Sequence, residues 1–516
     1  MVAKGALLCV LPLLLVSPAS AQEVKEFDKQ VTEFSLPNGL QFLLLERHDS
    51  PVVSFHTYVR VGSADDITGH TGLAYLLDRV ALSGTDTIGS KNWPEERKAL
   101  DAVEEAYDHL EGERNLGVKA SPERLDKLNW QVRMAIDSAE RFSSASDFTA
   151  IMEDNGASRI ALSTTPDASE CTYSLPSNRI ELWFLMESQR LMHPVFRDFY
   201  KTRNTLVEER QKPPANSAQV RMQLANAFLA AAFAAHPYRN PQTGFPGDLA
   251  NLRRTDARAF IERYYVPSNV VIAMVGDVNQ ADARRLAQKY FGAWASKTAP
   301  PLIHTQEPPQ PGPRTVVMES PAPAMLLEGY KRPSQFDKDD PVLDLLQIIL
   351  TEGRNAMLAK ELITDKHVAQ RVQAVASFPA SRYPSVFLFG IDPAQGRTVE
   401  ENQRALEDFL NRLKLTRIDE NTMARARTFA RVAIVNRMTS NAGTAGLLAL
   451  FQGTFGNWRQ LFQMVDEYNK ITAADIQRVL LRYFIATGRT TAYTVAPGQS
   501  GNPPVQKPAQ PTGGKQ

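Results

Sequence analysis

Two cysteines stand among 516 residues, too few for a disulfide framework. Cys9 lies inside an N-terminal apolar run, which leaves Cys171 alone for the folded chain. One thiol makes no internal bridge, so stability must come from buried apolar surface, as in other large domains. Charge of one sign is also missing. Lys and Arg number 58 and Asp and Glu 57, with no dense basic block and no basic stripe interleaved with aromatics. That excludes a surface tracking a phosphate backbone, and no nucleic-acid partner is expected. Histidine is scarce. His48, His56, His70, His109, His193, His236, His304 and His367 are all there are, and no two sit at metal-binding helical spacing. Beyond the N-terminal run, no stretch approaches the about 18 apolar residues of a membrane-spanning helix, so no transmembrane segment is expected.

What is present begins with that run. Lys4, the apolar residues from Ala6 to Val16 and the small-x-small sequence Ala19-Ser20-Ala21 have the layout of a secretory signal peptide. Residues 1–21 are expected to be removed, leaving Gln22 first, and bulky Leu8 argues against a lipoprotein site at Cys9. The expected location is periplasmic or secreted.

A chain this long with 43% apolar residues buries several cores. The stretch APPLIHTQEPPQPGPR, residues 299–314, contains six prolines and reads as a stiff linker. On either side of it the sequence repeats. TDARAFIERYYVPSNVVIAMV (255–275) and ADIQRVLLRYFIATGRTTAYTV (474–495) each read as a helix and then a strand. Asp256, Arg263, Tyr264 and Tyr265 match Asp475, Arg482, Tyr483 and Phe484 at a constant offset of 219, the trace of an internal duplication. Each repeat opens with strand-like sequence, at 40–63 and at 314–330. The expected fold class is α+β, with two homologous sheet-plus-helix halves at residues 22–298 and 315–498. Residues 499–516, rich in Pro, Gly and Gln, are expected to be a disordered tail. Within the first half, residues 93–142 alternate charges at helical spacing around the breaker NLGVKASPE, which predicts a solvated helical hairpin.

One short stretch carries the chemistry. In TGLAYLLDRVALSGT, residues 71–85, the spacing predicts an apolar helix, yet Tyr75, Asp78 and Arg79 converge on one face. Their spacing is that of H-x-x-E-H, the inverted zinc motif.

The surrounding VRVGSADDITGHTGLAYLLDRVALSGT resembles the signature of the pitrilysin and insulinase family of zinc endopeptidases, which includes the mitochondrial processing peptidase. The resemblance continues in TYSLPSNRIELWFLMESQRLMHPVFRDFYKTRNTLVEERQ (172–211), HPYRNPQTGFPGDLANL (236–252), YYVPSNVVIAMVGDVN and FPASRYPSVFLFGIDPAQG, in order along nearly the whole mature chain. It implies two duplicated insulinase-type halves forming a clam-like chamber. It also implies that the two metal-binding His fall on Tyr75 and Arg79 and the general-base Glu on Asp78. The third metal ligand falls on Glu209 and is retained. A supporting Glu falls on Thr202, the substrate-binding Asn of an edge strand on Ala161, and the substrate-holding Arg and Tyr of the second half on Ile363 and Gln370.

These changes point one way physically. Arg has no lone pair for a metal and stays protonated, so Arg79 repels a cation where zinc would sit. No metal or other cofactor is expected, and Arg79 is expected to fork to Glu209 or Asp78 in an ion-pair and tyrosine network that replaces the metal. An oxygen-only site of Tyr75, Asp78 and Glu209 is the alternative for a hard cation. The implied function is a non-catalytic pseudopeptidase that pairs with a homologous active zinc subunit and helps bind extended peptides. The other readings are a zinc metalloendopeptidase with altered ligands and a solitary peptide-binding scaffold. Cys171 reads as a buried small hydrophobe.

Overall fold

The computed structural model describes residues 27–498 except 145, 354 and 355. The signal peptide and the C-terminal tail expected from the sequence therefore lie outside the described residues. The chain begins with β1 (Val31–Ser35), β2 (Gln41–Glu46) and β3 (Val52–Val59), then turns through α1 (Leu73–Val80) into α2 (Trp93–Arg114), α3 (Pro122–Glu140) and α4 (Asp147–Asp154). It returns as β4 (Ser158–Thr164) and β5 (Ser169–Pro176). There follow α5 (Ile180–Met192), α6 (Phe199–Gln211), α7 (Ser217–Ala232), α8 (Pro246–Asn251) and α9 (Arg254–Tyr264), then β6 (Val270–Gly276) and α10 (Gln280–Phe291). The second run is β7 (Arg314–Glu319), β8 (Leu326–Arg332), α11 (Asp340–Thr351), β9 (Ala369–Phe378) and β10 (Ser385–Pro393). It closes with α12 (Val399–Leu415), α13 (Glu420–Met438), α14 (Asn441–Phe455), α15 (Gln460–Lys470), α16 (Ala473–Tyr483) and β11 (Arg489–Val495).

The duplication seen in the sequence is a duplication of topology. One sheet has the order β1-β2-β6-β3-β5-β4 and the other β7-β11-β8-β10-β9. The pairings correspond step by step, parallel for β2 with β6 and β7 with β11, antiparallel for the rest. The helices α9 and α16 start at Arg254 and Ala473, and β6 and β11 at Val270 and Arg489, each pair 219 residues apart. Only β1 is extra. This is an α+β architecture of two halves with equivalent topology.

One face of each sheet is covered by helices of its own half, around Phe42, Phe55 and Trp183 in the first and Leu346, Phe387 and Phe389 in the second. The other face is covered by the opposite half. Helix α14 lies on β3 and β6, and α7 on β7 and β11. Nearly all round, α14 is apolar and buried, as a helix between layers must be. Glycines set its approach: a Cβ on Gly453 would lie 2.2 Å from the Tyr58 ring, and on the other sheet a Cβ on Gly329 would lie 2.5 Å from Phe228.

The proline-rich segment is fixed to both halves. The Glu307 carboxylate accepts the amides of Ala234, Ala235 and His236 at 2.6, 3.0 and 3.0 Å, and Ile303 donates to the Tyr383 hydroxyl at 3.0 Å. Nearby, Asp167 of the β4–β5 turn accepts from the Tyr238 hydroxyl at 2.6 Å and from the amides of Ser381 and Arg382 at 3.1 and 2.8 Å.

The helical hairpin is only partly solvated, contrary to expectation. Glu96 and Arg197 form a buried pair, with Nε to Oε1 at 2.6 Å. Tyr107 stacks on Tyr200 with centroids 4.3 Å apart and accepts from Arg203 at 2.6 Å. Apolar residues Leu100, Val103, Tyr107 and Leu110 at helical spacing bind α2 to the body. Its charged residues masked that stripe in the sequence. Among the described residues no helix is long and apolar enough to cross a membrane.

Gly453→Val should lower the unfolding free energy by about 1–3 kcal/mol through overpacking against Tyr58. Gly112→Ala, on open helix surface, should raise it by about 0.5–1 kcal/mol; denaturant titration measures both. His236 is buried, its Nδ1 accepts the Tyr238 amide at 3.2 Å, and burial lowers its pKa from 6.5 to about 4. Below its ordinary pKa the unfolded chain takes up a proton that the folded state refuses. Stability at this site should therefore fall as pH drops from 6.5 toward 4. Replacing it by His236→Asn, whose amide oxygen can accept the same N–H, should flatten that slope by about one proton in denaturation at a series of pH values.

Candidate functional site

The short helix α1 is held at its start. Asp66, buried in the preceding loop, accepts the amides of Gly72 at 2.8 Å and Ala74 at 3.0 Å, which satisfies the first N–H groups of the helix. Burial pushes the Asp66 carboxyl up to about 8 against the pull of those amides. Thr71 donates its amide and hydroxyl to Asp248 at 3.2 and 2.6 Å and accepts the Phe245 amide at 3.0 Å. Gly72, at φ +89°, meets Gly244 so closely that a Cβ on Gly72 would lie 2.9 Å from the Gly244 Cα. The stretch HPYRNPQTGFPGDLANL is thus the clamp on this helix.

From that anchor α1 buries Leu73, Ala74, Leu76, Leu77 and Val80 and packs on α6 and β4. Tyr75 and Asp78 are half-buried and Arg79 is exposed. The Arg79 Nη2 donates to the Tyr75 hydroxyl at 2.5 Å, and the guanidinium lies 5.1 Å from the centroid of that ring. The hydrogen bond to Tyr75 raises the Arg79 pKa; Asp78 and Glu209 act on it only as nearby charges. Burial pushes the Asp78 carboxyl up to about 6, opposed by Arg190 and Arg79.

The expected fork from Arg79 to Glu209 or Asp78 is not what forms. Glu209 is exposed near the end of α6, and Arg79 is satisfied four residues back along its own helix. On a solvent-facing surface no desolvation forces a carboxylate against the guanidinium, and the aromatic ring offers both a face and an oxygen.

An ion-pair and tyrosine network does exist, one layer deeper and on α5. Arg190 donates to Glu187 from Nε at 2.9 Å and from Nη2 at 2.6 Å. Thr57 donates to the same carboxylate at 2.6 Å and Tyr173 at 2.8 Å. All of it is buried. Burial alone would raise the Glu187 pKa, but the Arg190 charge and these hydrogen bonds outweigh it and hold the carboxyl low. Cys171 lies buried beside this network, its thiol pushed up to about 12 by burial. The sequence signal was available as charged residues at i and i+3 inside the apolar run WFLMESQRLM.

Of the other four motif positions, two fall on separate sheet edges and two on helical segments. Ala161 is exposed on β4, the outer strand of the first sheet, paired to Thr172 on one side. Thr202 is half-buried on α6. Gln370 is exposed on β9, the outer strand of the second sheet, and Ile363 lies in the helical turn Lys360–Asp365 before it. β4 and β9 are equivalent strands of the duplicated topology.

Zinc does not fit the residues present. Arg79 offers no lone pair, the Tyr75 oxygen accepts the guanidinium, and only Asp78 and Glu209 remain as donors where a zinc site needs three protein ligands or more. Among the described residues no group of three or more His, Cys, Asp or Glu is placed to hold a metal ion.

Residues 251–429 match a family model described as the peptidase M16 inactive domain, a span that includes neither α1 nor Glu209. The chain is 24% identical over 488 residues to the zinc protease PqqE of Helicobacter pylori, covering 93% of this chain and 96% of that protein. Among solved structures, a protease from Helicobacter pylori superposes with a TM-score of 0.73 at 21% identity, over 90% of this chain and 99% of the other. The periplasmic protease PqqL of Escherichia coli gives a TM-score of 0.64 at 13% identity, over 91% of this chain but 48% of PqqL.

Two substitutions separate the surface pair from the buried one. Arg79→Ala should change stability by less than about 1 kcal/mol, as for other exposed pairs. Glu187→Ala, which strands the buried Arg190 charge, should cost about 3–5 kcal/mol; urea denaturation of both variants makes the comparison.

Proposed function

As the chain belongs to the M16 family of peptidases, that of pitrilysin and insulinase, we propose that it is a non-catalytic pseudopeptidase subunit. It pairs with an active zinc peptidase of the same family and helps bind peptide substrate. The observation that carries this reading is the Arg79–Tyr75 hydrogen bond, made by the two side chains that, by the resemblance of the surrounding sequence, fall where the family has its imidazole ligands. Without a metal there is no activated water, and Asp78 has nothing to deprotonate. Peptide binding needs none of that chemistry. An extended peptide pairs by main-chain hydrogen bonds along a free strand edge, and β4, which bears Ala161, is such an edge. PqqL, about twice as long as this chain, supports the idea that the working unit contains a second homologous body. The proposed location is the periplasm, supported by the leader-like N-terminus and by the description of PqqL as periplasmic.

A zinc endopeptidase with altered ligands is the competing reading, favoured by the name of the Helicobacter pylori relative and by the retained Glu209. Metal content decides between them. The purified mature chain, dialysed against zinc and then metal-free buffer, should carry far less than one zinc by mass spectrometry. One zinc per chain, lost in Glu209→Ala, would sink the proposal. Combined Tyr75→His, Asp78→Glu and Arg79→His should gain stoichiometric zinc, since Glu209 then completes the donor set, yet leave peptide hydrolysis undetected because Thr202 and Ala161 are unchanged.

A further inference from the structure

Strand β4 is the outer strand of its sheet, and its pairing fixes which of its main-chain groups face away from β5. In the turn that joins the two strands, Thr165 donates its amide to the Ala168 carbonyl at 2.8 Å. Antiparallel pairs alternate between residues that exchange hydrogen bonds and residues that do not. The register runs Thr164↔Ser169, Ser163↔Glu170, Leu162↔Cys171 and Ala161↔Thr172. Counted back from Thr165, Ser163 and Ala161 bond to β5, whereas Thr164 and Leu162 turn their N–H and C=O groups to the outer side. A bulge between Ser158 and Ala161, with Arg159 at φ +57°, ends the regular stretch at its far end.

One of these outward groups is already taken. The Gln242 side-chain amide donates from Nε2 to the Thr164 carbonyl. Its neighbours hold it there. Gly244 donates its amide to the Pro241 carbonyl at 2.9 Å, which closes a turn with Gln242 at its corner. A Cβ on Gly244, at φ +76°, would lie 2.3 Å from the Thr71 carbonyl, so the turn is pressed against the start of α1. Thr164 is accordingly 5% exposed, while Ala161 and Ser163 on the same strand are exposed.

An N–H aimed at the carbonyl of an outer strand is the group that an added strand would supply. We propose that Gln242 stands in for a peptide N–H at Thr164 and so fixes the register and limit of a peptide bound on β4. In antiparallel addition, the more stable pairing, the peptide residue facing Leu162 exchanges both of its hydrogen bonds. The residue two places toward the peptide's amino end faces Thr164. It can accept the Thr164 amide, but its own N–H finds the carbonyl occupied. An N–H left unpaired there is costly, and proline, which has none to place, is the residue that loses nothing. The site thus selects extended peptides by their main chain, with a preference for proline at that one position. This inference rests on the peptide-binding part of the proposed function and is indifferent to the zinc result.

The test is fluorescence anisotropy with a labelled peptide of extended, non-repeating sequence, acetyl-TVKISFTLKV, and copies of it with each main-chain N–H methylated in turn. Titrations use the mature chain and Gln242→Ala, whose fold is checked by circular dichroism. Freeing the Thr164 carbonyl should tighten binding by about two- to tenfold, the net worth of one hydrogen bond. One methylated position should be silent with wild type yet weaken binding to Gln242→Ala by the same factor, and it should lie two residues before a position that both chains require. Amide exchange across residues 158–164 should slow on binding in both. Equal affinities with the same methylation pattern overturn the role of Gln242 and leave peptide binding standing, and binding that leaves exchange at 158–164 unchanged overturns it too. A peptide bound by neither chain removes the peptide-binding reading, and this inference with it.

Discussion

Each sheet has two apolar faces, and each half has its own helices for only one of them. The remaining faces are closed by exchange: α14 of the second half lies on β3 and β6, and α7 of the first on β7 and β11. Fully burying a Leu, Ile, Val, Phe or Met side chain is worth about 1.5–3 kcal/mol, and the clusters at these junctions include Leu43, Val271, Leu448 and Trp458 on one side and Leu224, Phe228 and Leu388 on the other. Separating the halves exposes both at once. The two halves therefore form one cooperative unit despite the linker between them, and that linker is itself fastened through Glu307.

The same constraint places the candidate site. Because β3 and β5 sit in a sheet covered on both faces, the layer beneath α1 is dry, and the Glu187–Arg190 pair with Thr57 and Tyr173 is fully enclosed. A buried pair of this kind is not in itself a large source of stability. Losing either member is costly, however, since the other is left charged in a low-dielectric interior. The chemistry that faces solvent is of a different kind. Tyr75 and Arg79 pair within a single helix turn, where water still competes.

Period and repetition were legible in the sequence because they are local properties. The match of 255–275 to 474–495 became identical secondary structure at the same offset, and the proline-rich stretch became an extended connection. The stripe of Leu100, Val103, Tyr107 and Leu110 was also periodic, yet acidic neighbours at four of the seven intervening positions made it read as solvated. Partners distant in sequence were the harder part. Arg79 has Tyr75 and Asp78 in reach by spacing and Glu209 by the resemblance, and which one it takes depends on how far α1 and α6 stand apart at that point. The Asp167 junction, joining residues more than two hundred positions apart, leaves no pattern to read. Helix exchange had a signal in retrospect, since AGTAGLLALFQG is apolar around the whole helix and spaced with glycine, but a signal of burial does not say which sheet does the burying.

The way α1 is anchored explains how the motif positions could change without loss of the fold. Its start is fixed by Asp66, by the Thr71–Asp248 contact and by the Gly72–Gly244 approach, and its inner face by five buried apolar residues. None of these involves residues 75, 78 or 79. In a small zinc domain, removing the metal removes the folding energy. Here the packing free energy lies elsewhere, and a metal between α1 and α6 would add a bond to helices already in contact. A change of side chain at 75 or 79 therefore alters the surface chemistry of the helix and not its structural support. Residues 75, 78 and 79 can vary while the free edge of β4 keeps its geometry, because that edge is set by β5 and the core behind it and not by those side chains.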